Sequence, residues 1–156
     1  MNRRELFAFL QGHFVLDWRG IHGAPHWVRV LHNGLRLAER TGASVRVVEA
    51  FALLHDSCRR NDDHDPAHGY RAGQLAMRLN DRFLQLEAEE MSLLVLACEG
   101  HSNGHLEADV TVQTCWDADR LDLGRVGIRP AANRLCTAAA RDPEVIRWAF
   151  ARSIVA

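Results

Sequence analysis

Apolar residues recur every three or four positions along almost the whole chain, the spacing that lines one face of an α-helix. No alternating pattern of the kind a half-buried strand needs outlasts four residues; VRVV at 45–48 comes nearest and lies inside a longer helical run. The periodicity predicts an all-α bundle, with helices near 3–13, 25–40, 44–57, 66–82, 87–101, 108–123, 130–140 and 143–153. Local signals fix several ends. Pro25 suits a first helical turn, Ser44 can cap the helix that Val45 and Val48 continue, and Gly42 follows LAERT as a stop. Asp65-Pro66 and Asp142-Pro143 each join a capping carboxylate to a proline preorganised for the first helical position.

With 156 residues, 47% of them apolar, the chain suffices for one well-buried core and reads as a single domain spanning 1–156. A formal net charge of -1 gives no electrostatic reason to bind bulk nucleic acid or an anionic membrane. No run approaches the roughly 18 apolar residues of a membrane span, and MNRRELFAFLQGHF carries no small-residue cleavage site, so the expected location is the cytoplasm. Cys58, Cys98, Cys115 and Cys136 lie far apart with no C-x-x-C pair, which argues for reduced, mostly buried thiols. All 19 basic residues are Arg. Schiff-base chemistry and a Walker-type phosphate loop both need a lysine amine and are excluded.

The stretch FALLHDSCRRNDDHDPAHG, residues 51 to 69, ends an apolar helical run abruptly in His55 and Asp56. On the preceding helix His26 shares a face with Val30, Gly34 and Leu37, so it points inward. His55 continues the stripe of Val48, Phe51 and Ala52, and Asp56 lies about 100° round from it, so both side chains can reach one ion just beyond the helix end. In VTVQTCWDADRLDLGRVG two carboxylates two residues apart cannot share a face. Asp119 falls with Val112, Cys115, Trp116 and Leu123, whereas Asp117 groups with Gln113, Thr114 and Arg120, so Asp119 is the expected inward carboxylate. An ionised carboxylate on an apolar face is costly unless paired or metal-bound, and a divalent cation shared with two inward His and a second Asp satisfies all four groups.

The ordered set HWVRV at 26–30, LLHD at 53–56 and DADRLD at 117–122 resembles the HD-domain metal-dependent phosphohydrolase superfamily, over a span from about His22 to Pro130. The resemblance implies an all-helical fold with His26, His55, Asp56 and Asp119 as metal ligands. Mixed nitrogen and oxygen donors suit Mn, Fe, Co, Ni, Zn or Mg. The resemblance to two-metal members further implies His68 and His101 as additional metal or phosphate ligands, and therefore a second ion. His22, on the loop before the His26 helix, is a further pocket candidate.

Arg59 stands where many members of that superfamily carry a Lys, and its planar fork suits phosphate oxygens. Arg29, Arg60, Arg120 and Arg125 are further phosphate candidates, while His13, His32 and His105 read as surface residues. Members resembling nucleoside 5′-monophosphatases place a Glu at position 59, a departure that argues against that particular activity. The expected function is hydrolysis of a small phosphorylated compound, such as a nucleotide, with Asp56 orienting or deprotonating a metal-activated water and Arg59 steadying the phosphate. The alternatives are a nucleotide-sensing module that turns nothing over and a di-iron oxidative enzyme resembling inositol oxygenases. Specificity is expected to lie in the loops 57–66 and 102–108.

Overall fold

A computed structural model describes residues 1–155, and every regular element in it is helical. Eight α-helices run Arg3–His13 (α1), Ala24–Thr41 (α2), Val45–Leu54 (α3), His68–Leu79 (α4), Ala88–Gly100 (α5), Val110–Arg120 (α6), Ala138–Arg141 (α7) and Pro143–Ser153 (α8). No helix is long and apolar enough to cross a membrane.

The helix-end signals work where the sequence placed them in four of five cases, Pro25 lying in the first turn of α2. Ser44 Oγ accepts the Val47 N–H, Gly42 closes α2 in the left-handed conformation at φ 74°, and the Asp142 carboxylate accepts the Glu144 N–H ahead of Pro143. Asp65 does otherwise. Its carboxylate folds back onto the Arg60 N–H and the Arg71 guanidinium, Pro66 and Ala67 form a turn, and α4 begins only at His68. Asp65 thus ties down the loop 57–66 instead of capping a helix.

Other expected boundaries shift as well. α3 stops at Leu54, α4 runs into a π-helical turn at Asn80–Leu84, and α6 stops at Arg120, followed by a 3₁₀ turn at Leu123–Val126. The helix expected over 130–140 is an irregular segment with a 3₁₀ turn at Ala132–Arg134 and the four residues of α7. Its apolar positions are core contacts: Leu135, on extended chain, and Ala139 and Ala140, in α7, pack with Leu37, Leu121, Val145, Ile146 and Ala149.

The main core lies between α2, α3, α5 and α6, around Trp27, Val30, Phe51, Leu54, Leu94 and Cys115. Burying each large apolar side chain contributes about 1.5–3 kcal/mol, so this cluster is what holds the helices in register. Two close approaches shape the site. A Cβ at Gly34 would overlap Val48, and one at Gly69 would overlap the Cys98 carbonyl, so α2 meets α3 and α4 meets α5 at distances only glycine permits. An edge-to-face cluster of Phe7, Phe14, Trp18 and Trp27 fills the end near α1, and Trp27 Nε1–H donates to the His22 carbonyl at 2.8 Å, fixing the loop that carries His22. All four cysteines are free thiols, three of them buried. Burial pushes Cys136 up to about 11 and raises the Cys98 and Cys115 thiols too.

Candidate metal centre

Helix ends converge on one point inside the bundle. The first turns of α2 and α4 supply His26 and His68, and the residues just past the ends of α3 and α5 supply His55, Asp56 and His101. All five are buried. Asp119, in the last turn of α6, completes the group and is partly open to the cavity beside it.

The orientation of the imidazoles is set by what each Nδ1 meets. His55 Nδ1 faces the Phe51 carbonyl, His68 Nδ1 the Asp65 carbonyl, His101 Nδ1 the Cys98 carbonyl, and His26 Nδ1 the Asp122 carboxylate at 2.7 Å. Carbonyl and carboxylate oxygens only accept, so each Nδ1 carries a proton and each ring, when neutral, presents a bare Nε2. These four Nε2 atoms point at one another in two pairs: His26 to His55 at 3.0 Å and His68 to His101 at 2.9 Å. Two bare acceptors at that separation repel unless a proton or a cation lies between them.

Asp56 sits between the pairs and turns one oxygen to each. Its Oδ2 is 3.6 Å from His26 Nε2 and 3.8 Å from His55 Nε2, and its Oδ1 is 3.2 Å from His68 Nε2 and 3.4 Å from His101 Nε2. Asp119 Oδ1 closes the first pair at 3.4 and 3.8 Å. Two triads, His26 with His55 and Asp119, and His55 with Asp56 and His101, have donor atoms mutually within 4.8 Å. Donor type, fixed tautomers and convergence fit a divalent cation.

Electrostatics favour the ligand-competent forms of His55, Asp56 and Asp119. Burial pushes His55 down to about 3 against the pull of Asp56 and Asp119, so it is a neutral imidazole at ordinary pH. Burial opposes ionisation of Asp56, but its interactions with His55, His101, His22 and His68 outweigh it and hold the carboxyl well below its usual range. Asp119 is likewise held low against burial by His26, His55 and Arg125. Burial disfavours charge on His101, yet its contacts with Asp56 and Asp119 raise it overall.

A cavity of about 640 Å³ opens from Asp56, Asp119, His22 and His101. His22 reaches Asp56 Oδ2 through Nδ1 at 2.8 Å. Arg59 lies on the same rim, with Nε donating to Asp56 Oδ1 at 3.1 Å, and Arg125 brings Nη2 to 3.9 Å from Asp119. Two other arginine candidates for phosphate have partners within the protein, and Arg120 also lines the cavity. Arg29 forms a bidentate pair with buried Asp122, and Arg120 donates to the His105 and Arg134 carbonyls. Arg60 is exposed and outside the cavity lining. His13, His32 and His105 are exposed.

The helical phase assigned to α6 needs correction. Asp117 does not lie on a solvated face with Gln113 and Arg120; it is fully buried and accepts from the Cys136 N–H at 2.7 Å and from the Thr137 N–H and Oγ1–H at 2.8 Å. α6 is buried nearly all round, so an inside-outside division of its residues does not apply. Asp119 is the more open of the two carboxylates because it faces the cavity.

Asp122, the last residue of DADRLD, has a role that the helical wheel did not assign. Its Oδ2 fixes His26 and its Oδ1 receives Arg29 Nε at 2.6 Å. The signal was its place one turn beyond Asp119, on the same side of the chain. Comparison with family models, curated proteins and solved structures returns no match for this chain.

Proposed function

We propose that the protein is a metal-dependent phosphohydrolase acting on a small phosphorylated compound, with a nucleotide as the first candidate. The observation that carries this reading is the convergence of four Nε2 atoms, each with its tautomer fixed, on the two oxygens of Asp56 beside an arginine-rimmed cavity. His26, His55, Asp56 and Asp119 would hold one ion, and His68 and His101 with Asp56 a second. A divalent ion so held supplies Lewis acidity toward a phosphoryl oxygen and brings the pKa of water from 15.7 to about 7.

The chain's own residues then have distinct tasks. Asp56 accepts a proton from, or orients, the attacking water, and His22, hydrogen-bonded to Oδ2, keeps that carboxylate in place. Arg59 and Arg125 flank the two carboxylates from the cavity side, where their guanidinium groups meet phosphate oxygens. The buried position of the imidazoles limits water around the reacting phosphorus and strengthens every charge interaction there.

The test is elemental analysis of the purified protein followed by a phosphate-release panel of nucleotides and simpler phosphoesters with Mn, Co, Ni and Mg. Release that disappears in Asp56→Ala supports hydrolysis. Tight nucleotide binding without turnover supports a sensing module instead, and two bound irons with a characteristic absorption support oxidative chemistry. A protein that binds no metal under any of these conditions overturns the proposal.

A further inference from the structure

The wall of the cavity facing the histidines is made by residues 123–135, which contribute Leu123, Val126, Ile128, Pro130 and Leu135 together with Arg129 and Arg134. Apart from two short 3₁₀ turns this segment is irregular, yet it is held firmly. Asp117 receives the Cys136 and Thr137 N–H groups, and Arg120 donates to the Arg134 carbonyl at 3.2 Å and the His105 carbonyl at 2.7 Å. A buried carboxylate and a nearly buried guanidinium, both on α6, are thus committed to fixing an irregular stretch of chain over the cavity. Burying charge is costly unless every hydrogen bond is made, and here the partners are the backbone of that stretch.

What the segment presents is chemically specific. Arg59 donates to Asp56 and to the Asn61 and Asp63 carbonyls, and Arg125 donates to the Ile21 and Asp122 carbonyls. Among the described residues, the Arg129 and Arg134 guanidiniums have no hydrogen-bond acceptor and no carboxylate partner; Arg129 lies over the Phe150 ring at 5.0 Å. Both line the same cavity as Asp56 and Asp119, and that lining also includes the apolar side chains of Leu123, Val126, Ile128, Pro130 and Leu135.

We infer that the substrate carries a second anionic group, separated from the reacting phosphate by an apolar body, and that Arg129 and Arg134 bind that group. This inference rests on the phosphohydrolase reading for the placement of the first phosphate. The body lies against Leu123, Ile128 and Leu135, where burial stabilises by about 25 cal/mol per Å², and the planar guanidiniums receive a carboxylate or phosphate at the far end.

The test measures binding, not turnover. Alkyl phosphonates, which cannot be hydrolysed, are titrated by calorimetry into protein supplemented with Mn²⁺, as one series of graded chain length ending in methyl and a matched series ending in carboxylate. At one chain length the carboxylate series should bind about tenfold more tightly, equivalent to about 1.4 kcal/mol. That advantage should vanish in an Arg129→Ala, Arg134→Ala double variant, return in part with Lys at both positions, and leave bound Mn²⁺ unchanged. Equal affinity of the two series at every length overturns the inference, as does an advantage that survives the double variant, or no binding of either series. A wild-type protein that shows the expected selectivity but releases no phosphate from any ester overturns the hydrolase reading and leaves the distal anion site standing.

Discussion

The two sides of the cavity are built on opposite principles. On the histidine side, helix termini deliver the ligands and each imidazole is held by a partner on its other nitrogen, mostly a backbone carbonyl three or four residues back along the chain. On the arginine side the chain is irregular, and its place is set by two charged residues of α6 that reach out to the backbone of residues 105, 134, 136 and 137. The first arrangement is local and can form as its helices form. The second depends on pairings distant in sequence. Substitutions of the ligands should therefore affect metal with modest effect on the fold, and substitutions of the residues that hold the arginine side, Asp117 and Arg120, the reverse.

The largest effects are expected at the ligands. His26→Ala, His55→Ala, Asp56→Ala and Asp119→Ala should each lower bound metal sharply and abolish most phosphate release, read by elemental analysis and a phosphate assay. They should also lower the metal-dependent gain in Tm, since an ion that binds only the native state stabilises it by mass action. Full metal occupancy in all four variants would break the comparison at its first term.

Asp117 and Asp119 sharpen it, because the groups are identical and two residues apart. Asp117→Ala leaves three donors without their acceptor, at about 1–3 kcal/mol for each donor that stays buried and unpaired, so its Tm should fall by many degrees. Asp119→Asn should lose metal and keep most of its stability. Thermal melts paired with metal analysis separate these outcomes, and a stable, metal-free Asp117→Ala would reverse the roles.

Asp122 acts through His26 and is a positioning residue. Asp122→Asn should weaken metal affinity or activity about 10–100-fold, the usual cost of removing an orienting carboxylate behind a metal-binding His. Asp122→Glu should recover part of the affinity. A merely structural role would instead lower Tm equally in both variants without a matching change in metal affinity.

The smallest expected effect lies far from the cavity. The Glu144 N–H and then Arg40 hold the Asp142 carboxyl below its ordinary value of 3.8. A carboxyl with a depressed folded-state pKa contributes stability that is present above 3.8 and lost as pH falls through the depressed value. The Tm gap between the native protein and Asp142→Ala should be constant near neutrality and should close on acidification below about pH 4. A gap that widens in acid would contradict the sign.

The same division marks what the sequence makes legible. Regular periodicity and capping residues gave the all-helical architecture, most helix positions and the inward placement of His26 and His55. They failed on α6, since a helix buried nearly all round has no polar face against which to set its phase. They failed also on 130–140, where Leu135, Ala139 and Ala140 keep helical spacing although Leu135 lies on extended chain and only Ala138–Arg141 is α-helical. Asp65 and Asp122 were visible as carboxylates, but their partners at Arg71, His26 and Arg29 exist only in the folded chain. Arg129 and Arg134, which among the described residues have no hydrogen-bond or carboxylate partner, carry no sequence signal that separates them from other exposed arginines.

The most direct measurement is anomalous X-ray scattering from crystals grown with saturating Mn²⁺. A metal centre built as described places an anomalous peak between His26 Nε2, His55 Nε2, Asp56 and Asp119, and a second, if two ions bind, between His68 Nε2, His101 Nε2 and Asp56. A map with no peak among these side chains, their imidazoles still paired with one another while Mn²⁺ scatters elsewhere or not at all, would contradict the metal centre and the function proposed from it.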